Sequence, residues 1–98
     1  MDVEFRDSAL DRLETDASFS AGFSGTIVKA YRKRMQMIRA ARDERNFYAL
    51  KSLHFEKLKG GRSHQFSMKL NKQWRLVLEL VGPTPEKIAV IVAIEDYH

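Results

Sequence analysis

The sequence closes on Asp96-Tyr97-His98, a carboxylate, a phenol and an imidazole directly behind the apolar run from Ile88 to Ile94. An imidazole titrates near neutral pH and can give or take a proton, so a firmly held strand could aim this tip into a shallow groove as an acid–base device. The opposing reading is a frayed end, the commoner state of a terminal histidine. A second cluster, Leu58-Lys59-Gly60-Gly61-Arg62, sets two cations around a glycine pair, where the backbone can turn closely and both side chains can reach one anion such as a phosphate. A solvated basic turn has the same composition. Third, Arg75 lies between Trp74 and Leu76 in an alternating segment, which points its guanidinium away from the stripe of Trp74, Leu76 and Leu78. There it could clamp a phosphate bidentately or pair with a cross-strand carboxylate such as Glu79, Glu95 or Asp96. Lys59 and Arg75 are both expected to be exposed on this face, while His54 and His64 read by default as surface histidines.

Other chemistry is excluded by what the chain lacks. Without cysteine there is no disulfide, no thiolate metal site and no cysteine nucleophile. His54, His64 and His98 share no metal-ligand spacing, so neither a metal nor a cofactor is expected. Seventeen Lys and Arg against thirteen Asp and Glu leave a net charge of +4 and a pI near 9.6, a bias toward phosphate-bearing partners. Met1 to Arg6 has neither the basic nor the apolar part of a signal peptide, and Ile88 to Ile94 is far shorter than the ~20 residues of a membrane helix. A cytoplasmic protein without membrane contact is expected.

Positioning these groups falls to one domain over residues 1–98, since a chain this short has material for one core. Val3 and Phe5 alternate with charged neighbours and suit a short strand. Asp7-Ser8 offers the cap of a brief helix with Leu10 and Leu13 on one side, ending before the Ser/Gly-rich stretch Ser18 to Gly25. From Thr26 to about Arg42, Ile27, Tyr31, Met35 and Ile38 recur at helical spacing and read as core, until Asp43 to Asn46 breaks the pattern. Phe66, Met68 and Leu70 then alternate with polar residues, Asn71-Lys72-Gln73 turns the chain, and Trp74, Leu76, Leu78 and Leu80 alternate in turn. After Gly82-Pro83-Thr84-Pro85, the run Ile88 to Ile94 is apolar at both parities, as for a strand covered on both faces near the middle of a sheet. The expected class is α+β, two N-terminal helices packed on one face of an antiparallel sheet. The other face stays partly open, lined by Arg75, Lys69 and the residues around Lys59.

Taken together, Leu58-Lys59-Gly60-Gly61-Arg62, Gln65-Phe66-Ser67-Met68 with Asn71-Lys72-Gln73-Trp74-Arg75-Leu76, and Glu95-Asp96-Tyr97-His98 resemble the HigB, or plasmid-maintenance killer, toxins of the RelE superfamily. The resemblance is close over the C-terminal half and extends to the N-terminal helices in order and size. It implies a microbial RNase fold, entry into the ribosomal aminoacyl site, cleavage of mRNA there, and a HigA-like helix-turn-helix antitoxin as partner. It also implies metal-free attack by the ribose 2′-OH, leaving a 2′,3′-cyclic phosphate. Carried over to this chain, His98 and Tyr97 match the terminal acid–base and RNA-positioning pair, Asp96 the carboxylate before them, Lys59 the loop cation and Arg75 the strand cation. Arg62, Lys69 and Lys72 are the expected contacts to RNA or ribosome. The chain departs from the pattern at Glu56, where some relatives carry histidine. His54 stands two residues earlier, on the same face if the segment is extended but displaced by roughly 7 Å. Either His54 or Glu56 could be the second base. His64 also occupies a position where relatives usually have glycine.

Two other functions compete. The related ParE branch uses a similar fold to poison DNA gyrase without catalysis, but the Asp96-Tyr97-His98 ending resembles HigB. A plain RNA-binding module would use Lys69, Lys72 and Arg75 as a basic strip, yet it lacks the usual exposed stacking aromatics if Phe66 and Trp74 face inward.

Overall fold

A computed structural model describes residues 1–83 and 86–97. Thr84, Pro85 and His98 lie outside the described residues, and with them the tip of the last turn and the terminal histidine singled out above. The elements run β1 (Asp2–Phe5), α1 (Ser8–Thr15), α2 (Gly25–Ala40), α3 (Arg45–Ala49), β2 (Glu56–Lys57), β3 (Gln65–Lys69), β4 (Trp74–Val81) and β5 (Ile88–Asp96). Two 3₁₀ turns, Lys51–Leu53 and Gly60–Arg62, flank β2.

Helix α1 begins where the Asp7 carboxylate accepts the Ala9 N–H at 2.8 Å, and it buries Leu10 and Leu13. Ser24 caps α2 by accepting from the Ile27 N–H at 3.4 Å, and the stripe of Ile27, Tyr31, Met35 and Ile38 is buried as its spacing predicts. Tyr31 donates its buried hydroxyl to the Leu10 carbonyl (2.7 Å), while Arg32 donates to the carbonyls of Leu13 (3.0 Å) and Asp16 (2.9 Å), so α2 closes the open end of α1. The polar stretch Asp43 to Asn46 stops α2 but also starts α3. Asp43 accepts the Arg45 N–H at 2.9 Å and Asn46 accepts the Arg42 N–H at 3.0 Å, and side chains that satisfy backbone donors in this way can end one helix and begin another. Helix α3 then buries Phe47. Among the described residues no helix is long and apolar enough to cross a membrane.

The sheet has the order β1-β5-β4-β3-β2. The pairs β2–β3, β3–β4 and β4–β5 are antiparallel, and β1 joins β5 in parallel, so the sheet is mixed at this edge instead of antiparallel throughout. A parallel pair needs a long connection, and here the whole intervening chain supplies it. The helices cover one face, over Met68, Leu76, Leu78, Ala89 and Ile91. Cover on both faces was expected for β5, but Val90 and Val92 are half-buried because, among the described residues, no layer packs on the far side.

Strand β5 carries one irregularity, a bulge opposite Val77 and Leu78. Val77 pairs with Ala93 and Leu78 with Ile91, leaving Val92 as an extra residue on β5. Before it, Ala89 and Ile91 face the core; after it, Ile94 packs there opposite Leu76. A bulge shifts side-chain parity by one residue, and this one turns Glu95 to the open face, opposite Arg75.

Candidate functional site

Arg75 stands on the open face between Lys69 of β3 and Glu95 of β5. It is not exposed, as the strand pattern alone suggests, but keeps 9% of its accessible surface. Tyr97 covers it, with the ring centroid 4.0 Å from the guanidinium carbon. Nη1 donates to the Ser67 hydroxyl at 3.0 Å and to the His54 carbonyl at 3.4 Å, and a Glu56 carboxylate oxygen lies 3.2 Å away. The carboxylate partner is thus Glu56 of the edge strand, not Glu79, Glu95 or Asp96. Glu56 opposes Ser67 in the β2–β3 register, which brings it over Arg75, whereas Glu95, the direct cross-strand neighbour, is taken by Arg62.

His54 does not substitute along an extended segment. It ends the 3₁₀ turn Lys51–Leu53 in a left-handed conformation (φ 47°), is exposed, and meets Arg75 through its backbone carbonyl. His64 is also exposed, with Nε2 3.6 Å from Glu79. Glu79 is held below the usual carboxylate range chiefly by hydrogen bonds from Arg6, at 2.9 and 2.8 Å, and next by the Gln65 amide at 3.0 Å.

The tail is anchored to the β3–β4 turn. Asn71 shapes that turn by accepting the N–H groups of Gln73 and Trp74, both at 2.8 Å. The Gln73 carbonyl accepts the Tyr97 N–H, and its amide donates to Asp96 Oδ2 at 3.1 Å. Tyr97 is therefore held while one side of its ring stays open, at 50% exposure. Sequence reasoning passed over Ser67 and Gln73, although Ser67 shares Gln65's parity and its small hydroxyl could have marked the floor of a polar site.

A pocket of about 210 Å³ opens here, lined by Leu58, Arg62, Ser67, Arg75, Val77, Glu95, Asp96 and Tyr97. Arg62 enters from the 3₁₀ turn that starts at Gly60, whose φ of 71° suits glycine. Its two terminal nitrogens donate to the two Glu95 oxygens at 2.9 and 2.7 Å, and Nε donates to the side-chain Oε1 of Gln65 at 3.0 Å. Lys59 is exposed beside the lining residue Leu58. Lys69 is half-buried, its carbonyl accepting from Arg34 Nε at 3.0 Å, and Lys72 is exposed in the turn. Of the expected RNA contacts, Arg62 is the one that lines the pocket. Among the described residues no group of three His, Asp or Glu could hold a metal ion.

The arrangement of helices on one face of a five-stranded sheet is a RelE-type toxin fold. A YoeB/ParE toxin from Agrobacterium tumefaciens superposes with a TM-score of 0.59 over 100% of both chains at 18% identity, a likeness of fold. Residues 3–98 match the family described as the RelE-like toxin of the type II toxin–antitoxin system HigB, and the chain belongs to that family. Its partner is accordingly an antitoxin. Comparison with curated proteins finds no match.

Proposed function

We propose that this toxin is a metal-independent endoribonuclease that cuts mRNA in the ribosomal aminoacyl site. The observation that carries the reading is Arg75, fixed under Tyr97 at 4.0 Å and by Ser67 at 3.0 Å in the wall of one pocket. A cation that cannot reorganise is suited to charge building on phosphorane oxygens. The open side of Tyr97 offers a surface on which a base can stack. The ribose 2′-oxygen bonds to phosphorus, the bond from phosphorus to the 5′-oxygen breaks, and a 2′,3′-cyclic phosphate results. His98 gives a proton to the departing 5′-oxygen, and Glu56, beside Arg75, is the described side chain offered to take the 2′-proton. Lys59 and Arg75 stabilise the charge between them, and loss of such a donor typically costs about 3 kcal/mol, on the order of a hundredfold in rate. Asp96, gripped by Gln73, fixes the direction in which the chain leaves β5. Lys69 and Lys72 extend the basic surface toward the ribosome. The proposed antitoxin is a HigA-like helix-turn-helix protein, and the proposed site of action is the cytoplasm.

So small a site has few elements with which to place RNA, so the ribosome is assigned the positioning. The test compares cleavage of one message with and without translating ribosomes, for the wild type, Lys59→Ala and His98→Gln. Cleavage by the wild type on ribosomes and its loss in both variants support the proposal. Rapid cutting of naked message would overturn the ribosome dependence, and gyrase-dependent DNA breaks with intact message would favour the ParE-like reading.

A further inference from the structure

Glu95 stands where a phosphate would be gripped. A guanidinium fork binds a carboxylate and a phosphate by the same pair of parallel N–H bonds, and the fork of Arg62 is filled by both oxygens of Glu95 at 2.9 and 2.7 Å. Arg62 and Glu95 line the pocket that holds Arg75 and Tyr97. Their side chains are 45% and 39% exposed, so water and ligand reach the pair and its strength is that of an exposed ion pair. The neighbouring pair Arg6–Glu79 is different, because its carboxylate is only 10% exposed and is also held by Gln65. The Gln65 side chain joins the two: its Nε2 is anchored on Glu79 and its Oε1 accepts from Arg62 Nε at 3.0 Å. Removal of Glu95 from the fork leaves that third bond in place, so the guanidinium stays aimed.

We propose that Glu95 is an internal competitor for the RNA backbone, filling the Arg62 fork in the free protein and giving way to a phosphodiester when RNA enters the pocket. The inference rests on the RNA-cleaving reading of the site. It makes loose RNA a poor ligand and favours RNA presented at high local concentration by a larger body. It also gives the Val92 bulge a consequence, since without that parity shift Glu95 would face the core side.

The experiment measures binding of a short 2′-O-methyl RNA, which resists cleavage, by fluorescence anisotropy over a salt series. The proteins are the wild type, Glu95→Gln, Arg62→Ala and the double variant, each checked by a melting curve. Glu95→Gln should bind about three- to fivefold tighter, the scale of an exposed pair. Its log–log salt slope should change by less than about 0.7, the figure for one more phosphate on a single strand, because Arg62 grips the same phosphate in both bound proteins. In the Arg62→Ala background the same change should do nothing. An equal gain in both backgrounds would mean that only a negative charge was lost, and no gain at all would mean that Glu95 does not compete; either overturns the proposal. If none of the four binds while the wild type still cuts on ribosomes, the competition is wrong and the function stands. If the wild type neither binds nor cuts, the functional reading itself fails.

Discussion

Replacing Arg75 by methionine removes the guanidinium that lies against Tyr97 and keeps most of the aliphatic stem. The lost interactions can be sized from their surroundings. The bond to the Ser67 hydroxyl at 3.0 Å is charge-assisted and buried, a type worth about 1.5 to 3 kcal/mol. The contact with the Tyr97 ring at 4.0 Å is half-desolvated and belongs to the range of about 0.5 to 2 kcal/mol. Glu56 is 54% exposed, so its share is discounted to under about 1 kcal/mol. Against these stands the desolvation of the guanidinium, which the variant no longer suffers. A net loss of about 2 to 3 kcal/mol follows, and for a domain this size it lowers Tm by roughly 10 to 20 °C. Since small domains hold about 5 to 15 kcal/mol, the variant stays folded at 25 °C, where its cleavage should still be strongly reduced. Arg75→Ala should fall further because the stem goes too. The assay is a set of melting curves for Arg75→Met, Tyr97→Leu and the double variant, with cleavage measured well below the lowest midpoint. A coupling near 1 kcal/mol between the two positions is expected, since they touch. If Arg75→Met melts within about 2 °C of the wild type, or the two changes simply add, then Arg75 does not anchor the tail and the reasoning fails.

Deleting His98 or changing it to Gln should abolish growth arrest and cleavage with no change in Tm, and Tyr97→Phe should be milder; a fully toxic protein without His98 would remove it from the mechanism. Arg62→Ala should weaken RNA or ribosome binding more than the chemical step, seen as a raised KM at nearly constant kcat. Tyr31→Phe should cost about 1 to 2 kcal/mol by leaving the Leu10 carbonyl without its buried donor, read from urea midpoints; an unchanged midpoint would show that water replaces the bond. Acid should destabilise the fold through Asp16, whose carboxyl falls from 3.8 to about 2, mainly by the Ser18 hydroxyl, then its N–H, then Arg12. The folded carboxyl pKa lies below the unfolded one, so this stability is present above about pH 4 and is lost as pH falls toward 2. Asp16→Asn should flatten that part of the urea-midpoint curve, and an equally steep curve would contradict the assignment.

Local periodicity carried much of the fold. Helix α2 was legible because its buried residues recur every three or four positions, a pattern that depends on no distant partner. The alternating faces of β3 and β4 were legible for the same reason, as was the side of the sheet on which Arg75 lies. The candidate site was legible as a set of residue types, with Arg75 and Tyr97 brought to one pocket along with Arg62 and Asp96. The short helix α3 was not, because its Phe47 is the lone buried residue of five and one residue has no period.

The pairings between distant segments were fixed by the folded chain alone. That Arg75 is buried, and answers to Glu56 and not to Glu95, depends on a two-residue edge strand docking through a register that no local pattern encodes. The parallel pairing of β1 with β5 spans nearly the whole chain and leaves no mark in either strand's composition. The Val92 bulge was hidden for a related reason: in a run apolar at both parities, an extra residue changes nothing in the pattern, yet it decides which way Glu95 faces. Sequence alone supplied the groups and most of their faces, because those follow from the backbone period. Which of the charges meet was settled by strand register, because register is fixed by contacts between residues far apart along the chain.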